Sequence, residues 1–218
     1  MGPWDIMSQH FVRPGEPPPG LSSFTKIRLG WIQADQVRMA PPGANVWAFL
    51  SPLSQGGDLL VVKIPLKDGT YYLVENRQPI GYDKVLPDSG LLVLKVDPNA
   101  PEGYGTVKVM QAPSGPANFS QAPFRLDAEK RNVFTDKKNG VAILPLWKKN
   151  DNVGVLVTTP DRSAEALKAA KAIESLVGRQ AGTAAGGRQK DITEAVAAFK
   201  DFNFEKSYAT AKQGLEKP

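Results

Sequence analysis

Between residues 46 and 158 the chain is a series of short apolar runs, each cut off by Gly, Pro or Asp. The runs cover residues 59–64, 71–76, 90–96, 106–110, 141–147 and 153–157. They are rich in Val, Leu, Ile and Tyr and too short for helices that bury a face, so they read as strands. Lys67-Asp68-Gly69-Thr70 lies between the first two and carries the residues of a hairpin turn. Residues 148–152 join the last two runs in the same way. Strands of this length and spacing fit a small antiparallel β-sandwich or barrel.

The flanks differ from this body. Residues 1–45 read as irregular. Gly15-Glu16-Pro17-Pro18-Pro19-Gly20 is an extended loop, because three consecutive prolines permit neither helix nor ladder. A short helix is expected between Leu21 and Trp31, with Ser22 or Ser23 as cap and Gly30 as stop. At Thr159-Pro160-Asp161 a longer helix begins, with a Thr cap, Pro in the first turn and an acid at the positive end of the dipole. Leu167, Ala170, Ile173 and Val177 recur at helical spacing. A Gly-rich break is expected over 178–187. Two further helices carry Ile192, Ala195, Val196 and Phe199, then Tyr208, Ala211 and Leu215. The expected class is α+β, in three stretches: an irregular segment 1–45, a β-rich module 46–158 and an Ala-rich helical hairpin tail 159–218.

Composition narrows the chemistry. The 218 residues include no Cys, so disulfides, thiolate catalysis and Cys-ligated zinc are excluded. The net charge of +5 is dispersed, and neither Lys137-Lys138 nor Lys148-Lys149 interleaves aromatics, so a nucleic-acid partner is not expected. No apolar run reaches membrane-spanning length, and residues 1–13 carry no apolar stretch of signal-peptide type.

Four segments carry a likeness to a known family. The first is Gly2-Pro3-Trp4-Asp5-Ile6-Met7-Ser8. The second is Pro19-Gly20-Leu21-Ser22-Ser23-Phe24-Thr25-Lys26 with Leu29-Gly30-Trp31-Ile32. The third is Tyr71-Tyr72-Leu73-Val74-Glu75-Asn76-Arg77-Gln78 with Gly81-Tyr82-Asp83, and the fourth Leu86-Pro87-Asp88-Ser89-Gly90-Leu91-Leu92-Val93. In this order, over residues 1 to 97, they resemble the part of the immune inhibitor A class of secreted zinc metallopeptidases that follows the metal-binding helix. Residues 98–158 are only compatible with that family's trailing β module, and the tail lies outside its pattern.

The resemblance implies that Asp5 and Met7 belong to a Met-turn beneath a metal, and that Ser8 and His10 line a cleft wall. It implies an extracellular or cell-surface location and a protein or peptide substrate. The family's His-Glu-x-x-His motif is absent, and the chain's one histidine, His10, cannot supply it. No catalytic or metal-ligating residue is therefore assigned here. Zinc is implied for the intact family enzyme only, and its ligands are expected on a polypeptide upstream of Met1.

Several residues have plainer readings. His10 reads more simply as a surface histidine. Glu75 and Arg77, two apart on one strand face, read as a buried or half-buried ion pair or as neighbouring cross-strand contacts; the other reading is a fixture for a loop at the cleft. Asp83, Asp88 and Asp97 match no calcium loop and read as turn acids. The expected function is the inactive C-terminal portion of a metallopeptidase. The alternatives are a non-catalytic binding module and a cell-surface structural domain anchored by its tail.

Overall fold

The structure is a computed structural model that describes residues 1–8, 15–101, 103–180 and 188–217. The chain is α+β, with two packed sheets and helices on the outside. One sheet has five strands in the order β1 (Val37–Met39), β3 (Val61–Pro65), β4 (Tyr71–Arg77), β5 (Gly90–Val96) and β6 (Val107–Met110). The other has four, in the order β2 (Val46–Leu50), β9 (Asn152–Thr158), β8 (Val141–Lys149) and β7 (Phe134–Asp136). Before them lies α1 (Ser23–Arg28); after them come α2 (Pro160–Gln180), α3 (Gln189–Lys200) and α4 (Phe204–Glu216).

The apolar runs are continuous because the strands are covered on both faces. Alternation sorts each run between two cores. On β3, β4 and β5, Val62, Ile64, Tyr72, Val74, Leu91 and Val93 point inward, where they meet Leu50, Ile143, Val155 and their neighbours from the second sheet. On the opposite face Val61, Leu73, Leu92 and Leu94 pack under Trp4, Ile32, Phe24 and Ile27 of the N-terminal stretch. The outer face of the second sheet, through Leu144, Leu146 and Leu156, packs under the C-terminal helices. Ala166, Ala169, Ala170 and Ile173 form the buried stripe of α2, and these small side chains let the helix lie close to β8.

Two details depart from the sequence reading, and a third, Pro145, needs a local explanation. The sheets are not wholly antiparallel, because the short edge strand β1 runs parallel to β3. The Gly-rich break begins later than expected: α2 continues through Gly178, where a side chain would meet open space, and ends at Gln180. Residues 181–187 of that break lie outside the described residues. Pro145 sits within β8, where it pairs with Val155 beyond the last residue paired to β7, just ahead of a register shift. The missing proline N–H is tolerated at such a place because no ladder bond is needed there.

Between the sheets the Tyr72 hydroxyl donates to Asp136 Oδ2 at 2.7 Å. Asn139 adds its backbone N–H at 3.2 Å and its side-chain amide at 2.6 Å. Burial alone would push the Asp136 carboxyl up, but these donors outweigh it and hold the group below its ordinary value. Burial, reinforced by Asp136, pushes the Tyr72 phenol well above its own. A carboxyl depressed by folding adds stability that is fully present above its unfolded pKa of about 3.9, and that is lost as pH falls through the lower folded value. Asp136→Asn is therefore expected to lower the urea midpoint at neutral pH and to narrow its gap from wild type in strong acid. A gap that stays constant across that range would contradict this reading.

Candidate functional site

The N-terminal turn, α1 and the end of β4 meet on the outer face of the five-stranded sheet. Because side chains alternate along β4, Glu75 and Arg77 share that face with Leu73. Both are fully buried. Arg77 Nη1 lies 2.9 Å from Glu75 Oε1. Its Nε and Nη2 each reach one oxygen of Asp83 at 2.8 Å, a bidentate fork. The remaining two donors go to the Trp4 carbonyl at 2.7 Å and the Gly20 carbonyl at 3.3 Å. All five guanidinium N–H groups are thus satisfied. Burial would lower the Arg77 pKa, but Glu75 and Asp83 outweigh it and keep the group firmly charged.

The acids are held as tightly. Glu75 Oε2 accepts the Ser23 N–H at 2.7 Å, and Asp83 Oδ1 accepts the Gly20 N–H at 3.0 Å. Gly20 has to be glycine at this approach, since a Cβ there would sit 2.8 Å from Asp83 Oδ1. Asp5 Oδ2 accepts the Ser22 N–H at 2.9 Å and the Thr25 hydroxyl at 3.2 Å. Asp5 and Glu75 thereby satisfy N–H groups at the start of α1 that have no partner within the helix, while the expected cap Ser22 accepts from Thr25. Lys26 sits beside the cluster. Burial lowers its pKa, against the attraction of Asp83 and Glu75.

This cluster fixes the opening turn. Trp4 is fully buried and its indole N–H donates to the Phe119 carbonyl at 2.7 Å. Asp5 Oδ1 accepts the Met7 N–H at 2.8 Å, and its carbonyl accepts the Ser8 N–H at 2.9 Å. The turn is anchored from beneath, yet it points its next two side chains outward: Ile6 is 42% exposed and Met7 74%. Met7 and Ser8 line a groove of about 700 Å³ with Phe24, Leu29 and Val107. Ile6 lines a second, of about 510 Å³, with Pro19, Leu21, Lys26, Trp31 and Tyr82. Trp31 and Tyr82 are 63% and 74% exposed. Single exposed apolar residues are ordinary; a group gathered around one turn marks a contact surface.

The structure brings Asp5, Met7, Ser8, Glu75 and Arg77 to one place and adds Asp83, Lys26, Tyr82 and Trp31, which sequence reasoning did not join to them. His10 lies outside the described residues. Asp88 pairs with Arg125 and Arg131, and Asp97 caps its own turn at Asn99. Among the described residues no group of three His, Cys, Asp or Glu side chains could hold a metal. The buried oxygens of Asp5, Glu75 and Asp83 face N–H and O–H donors. No helix among them is long and apolar enough to cross a membrane. No family model, curated protein or solved structure matches the chain.

Proposed function

We propose that this chain is the C-terminal portion of a secreted metallopeptidase, supplying the floor and lower wall of a cleft whose zinc-binding helix belongs to an upstream polypeptide. The chain alone cuts no peptide bond. The observation that carries the reading is the posture of Met7: it stands exposed on a turn locked from below by Trp4, Asp5 and Arg77. A rigid turn presenting a soft thioether suits a surface against which ligating side chains of another segment pack. The Glu75–Arg77–Asp83 cluster holds the turn in place and touches no substrate.

The test pairs metal analysis with a casein assay. The isolated chain is expected to carry no stoichiometric zinc and to leave casein intact. Co-expression with a same-family polypeptide that ends after its His-Glu-x-x-His helix is expected to give a co-purifying pair with about one zinc and with activity. One tightly held zinc in the isolated chain would overturn the reading, as would failure of the two pieces to associate. A pair that forms but neither binds zinc nor cleaves casein would favour a non-catalytic binding module.

A further inference from the structure

The turn between β7 and β8 carries the chain's one Asn-Gly pair, Asn139-Gly140. Gly140 takes φ 66°, a conformation that suits glycine, and a Cβ there would meet nothing within 4 Å. With no side chain on Gly140, its backbone nitrogen can approach the Asn139 side-chain carbonyl carbon unhindered. That nitrogen is also weakly held: its hydrogen bond to the Lys137 carbonyl is 3.4 Å long. The Asn139 amide is held by one neighbour. Its Nδ2 donates to Asp136 Oδ2 at 2.6 Å, and the Asn139 backbone N–H donates to Asp136 Oδ1 at 3.2 Å. Asp136 in turn accepts the Tyr72 hydroxyl of the other sheet at 2.7 Å. A labile amide is therefore built into a contact that ties the two sheets together.

We propose that Asn139 is a site of spontaneous deamidation, slowed by its hydrogen bonds to Asp136 and, once complete, loosening the Tyr72–Asp136 contact between the sheets. The Gly140 nitrogen attacks Asn139 Cγ. The new C–N bond closes a succinimide ring, the Cγ–Nδ2 bond breaks, and the amide nitrogen leaves as ammonia with the proton given up by Gly140. Water then opens the ring at one of its two carbonyls and leaves Asp or isoaspartate at 139. Nothing is oxidised or reduced. Either product replaces the amide that donated to Asp136 with a carboxylate. Two adjacent carboxylates repel, and one of them is driven toward protonation. Burial pushes the Asp136 carboxyl up, and foremost among the groups that hold it down is the Asn139 amide. Lys95 also acts on Asp136, and Lys137 and Lys138 flank the turn, but the last two are exposed and their charges are screened. This chemistry is independent of the metallopeptidase reading.

The test ages the full chain in mildly alkaline buffer and follows residue 139 by peptide mass spectrometry. The wild-type amide is expected to convert to acid, as a mixture of Asp and isoaspartate. Asp136→Ala should speed conversion at least about tenfold, because a hydrogen bond to a charged group no longer has to break first. Gly140→Ala should slow it sharply. Tyr72→Phe loosens Asp136 while leaving both Asn139 contacts, so it should keep the wild-type rate and separates local restraint from general destabilisation. Aged wild type and fresh Asn139→Asp should both unfold at lower urea than fresh wild type, and this arm stands even if Asp136→Ala fails to fold. A wild-type amide that never converts would overturn the proposal. So would a rate unchanged by Asp136→Ala, equal acceleration by Tyr72→Phe, or an aged protein that keeps the urea midpoint of the fresh one.

Discussion

Arg77→Met is expected to destabilise the fold by about 3–5 kcal/mol, among the largest effects of any single substitution in this chain. The reason is the company the guanidinium keeps. Its removal leaves Glu75 and Asp83 facing each other, fully buried or nearly so, with no cation between them. It also strips the Trp4 and Gly20 carbonyls of their donor. The loss therefore reaches the opening turn and the loop before α1, not β4 alone. Equilibrium urea unfolding checks the magnitude. Arg77→Met combined with Glu75→Gln and Asp83→Asn should recover part of the loss, because the uncompensated charges go with their partner. An Arg77→Met protein within 1 kcal/mol of wild type, on the order of a surface substitution, would contradict the account.

Ending the chain at Thr159 is expected to give an insoluble or molten product. The helices would look dispensable if they formed a separate tail, but their buried stripe is the roof of the second sheet. Without it Leu144, Leu146 and Leu156, at 0–2% exposure, open to water together with the faces of Trp47 and Trp147. At about 1.5–3 kcal/mol for each leucine, the loss is comparable to the whole stability of a typical domain, roughly 5–15 kcal/mol. The contacts run deep. Trp147 meets Phe199 edge-on at 5.4 Å, and Phe199 meets Phe204 at 5.1 Å. Strong binding of a hydrophobic dye, with loss of a cooperative transition, is the expected readout. A soluble, cooperatively unfolding 1–159 fragment would show that the sheets stand without their helical cover.

Much of this architecture can be read in the residues. The hairpin at Lys67-Asp68-Gly69-Thr70 forms with Gly69 at φ 82° and Asp68 bonding Thr70, as its composition suggests. The Ser22 cap and the start of α2 at Pro160 follow from rules local to a few residues. What periodicity does not reveal is that Leu91 and Leu92 serve two different cores, because a run apolar on both faces has no alternation to read. β1 and β7, each three residues long, lack a signal of their own and form through their neighbours, whereas β2 is an apolar run of five that does carry one. The candidate site was partly legible: Glu75 and Arg77 stand two apart on a strand. The rest depends on contacts across the chain, from Arg77 to Trp4 and from Ser23 to Glu75, which no local spacing encodes. Asp83 was visible only as a turn acid.

The opening turn is hydrogen-bonded from within and points Ile6 and Met7 outward, the face proposed to meet another polypeptide. Oxidative footprinting of Met7, resolved from the other methionines by peptide mass spectrometry, tests both halves at once. The account predicts rapid oxidation of Met7 in the isolated chain and strong protection after co-expression with the His-Glu-x-x-His polypeptide. Slow oxidation in the isolated chain, or equal reactivity in both samples, would contradict it.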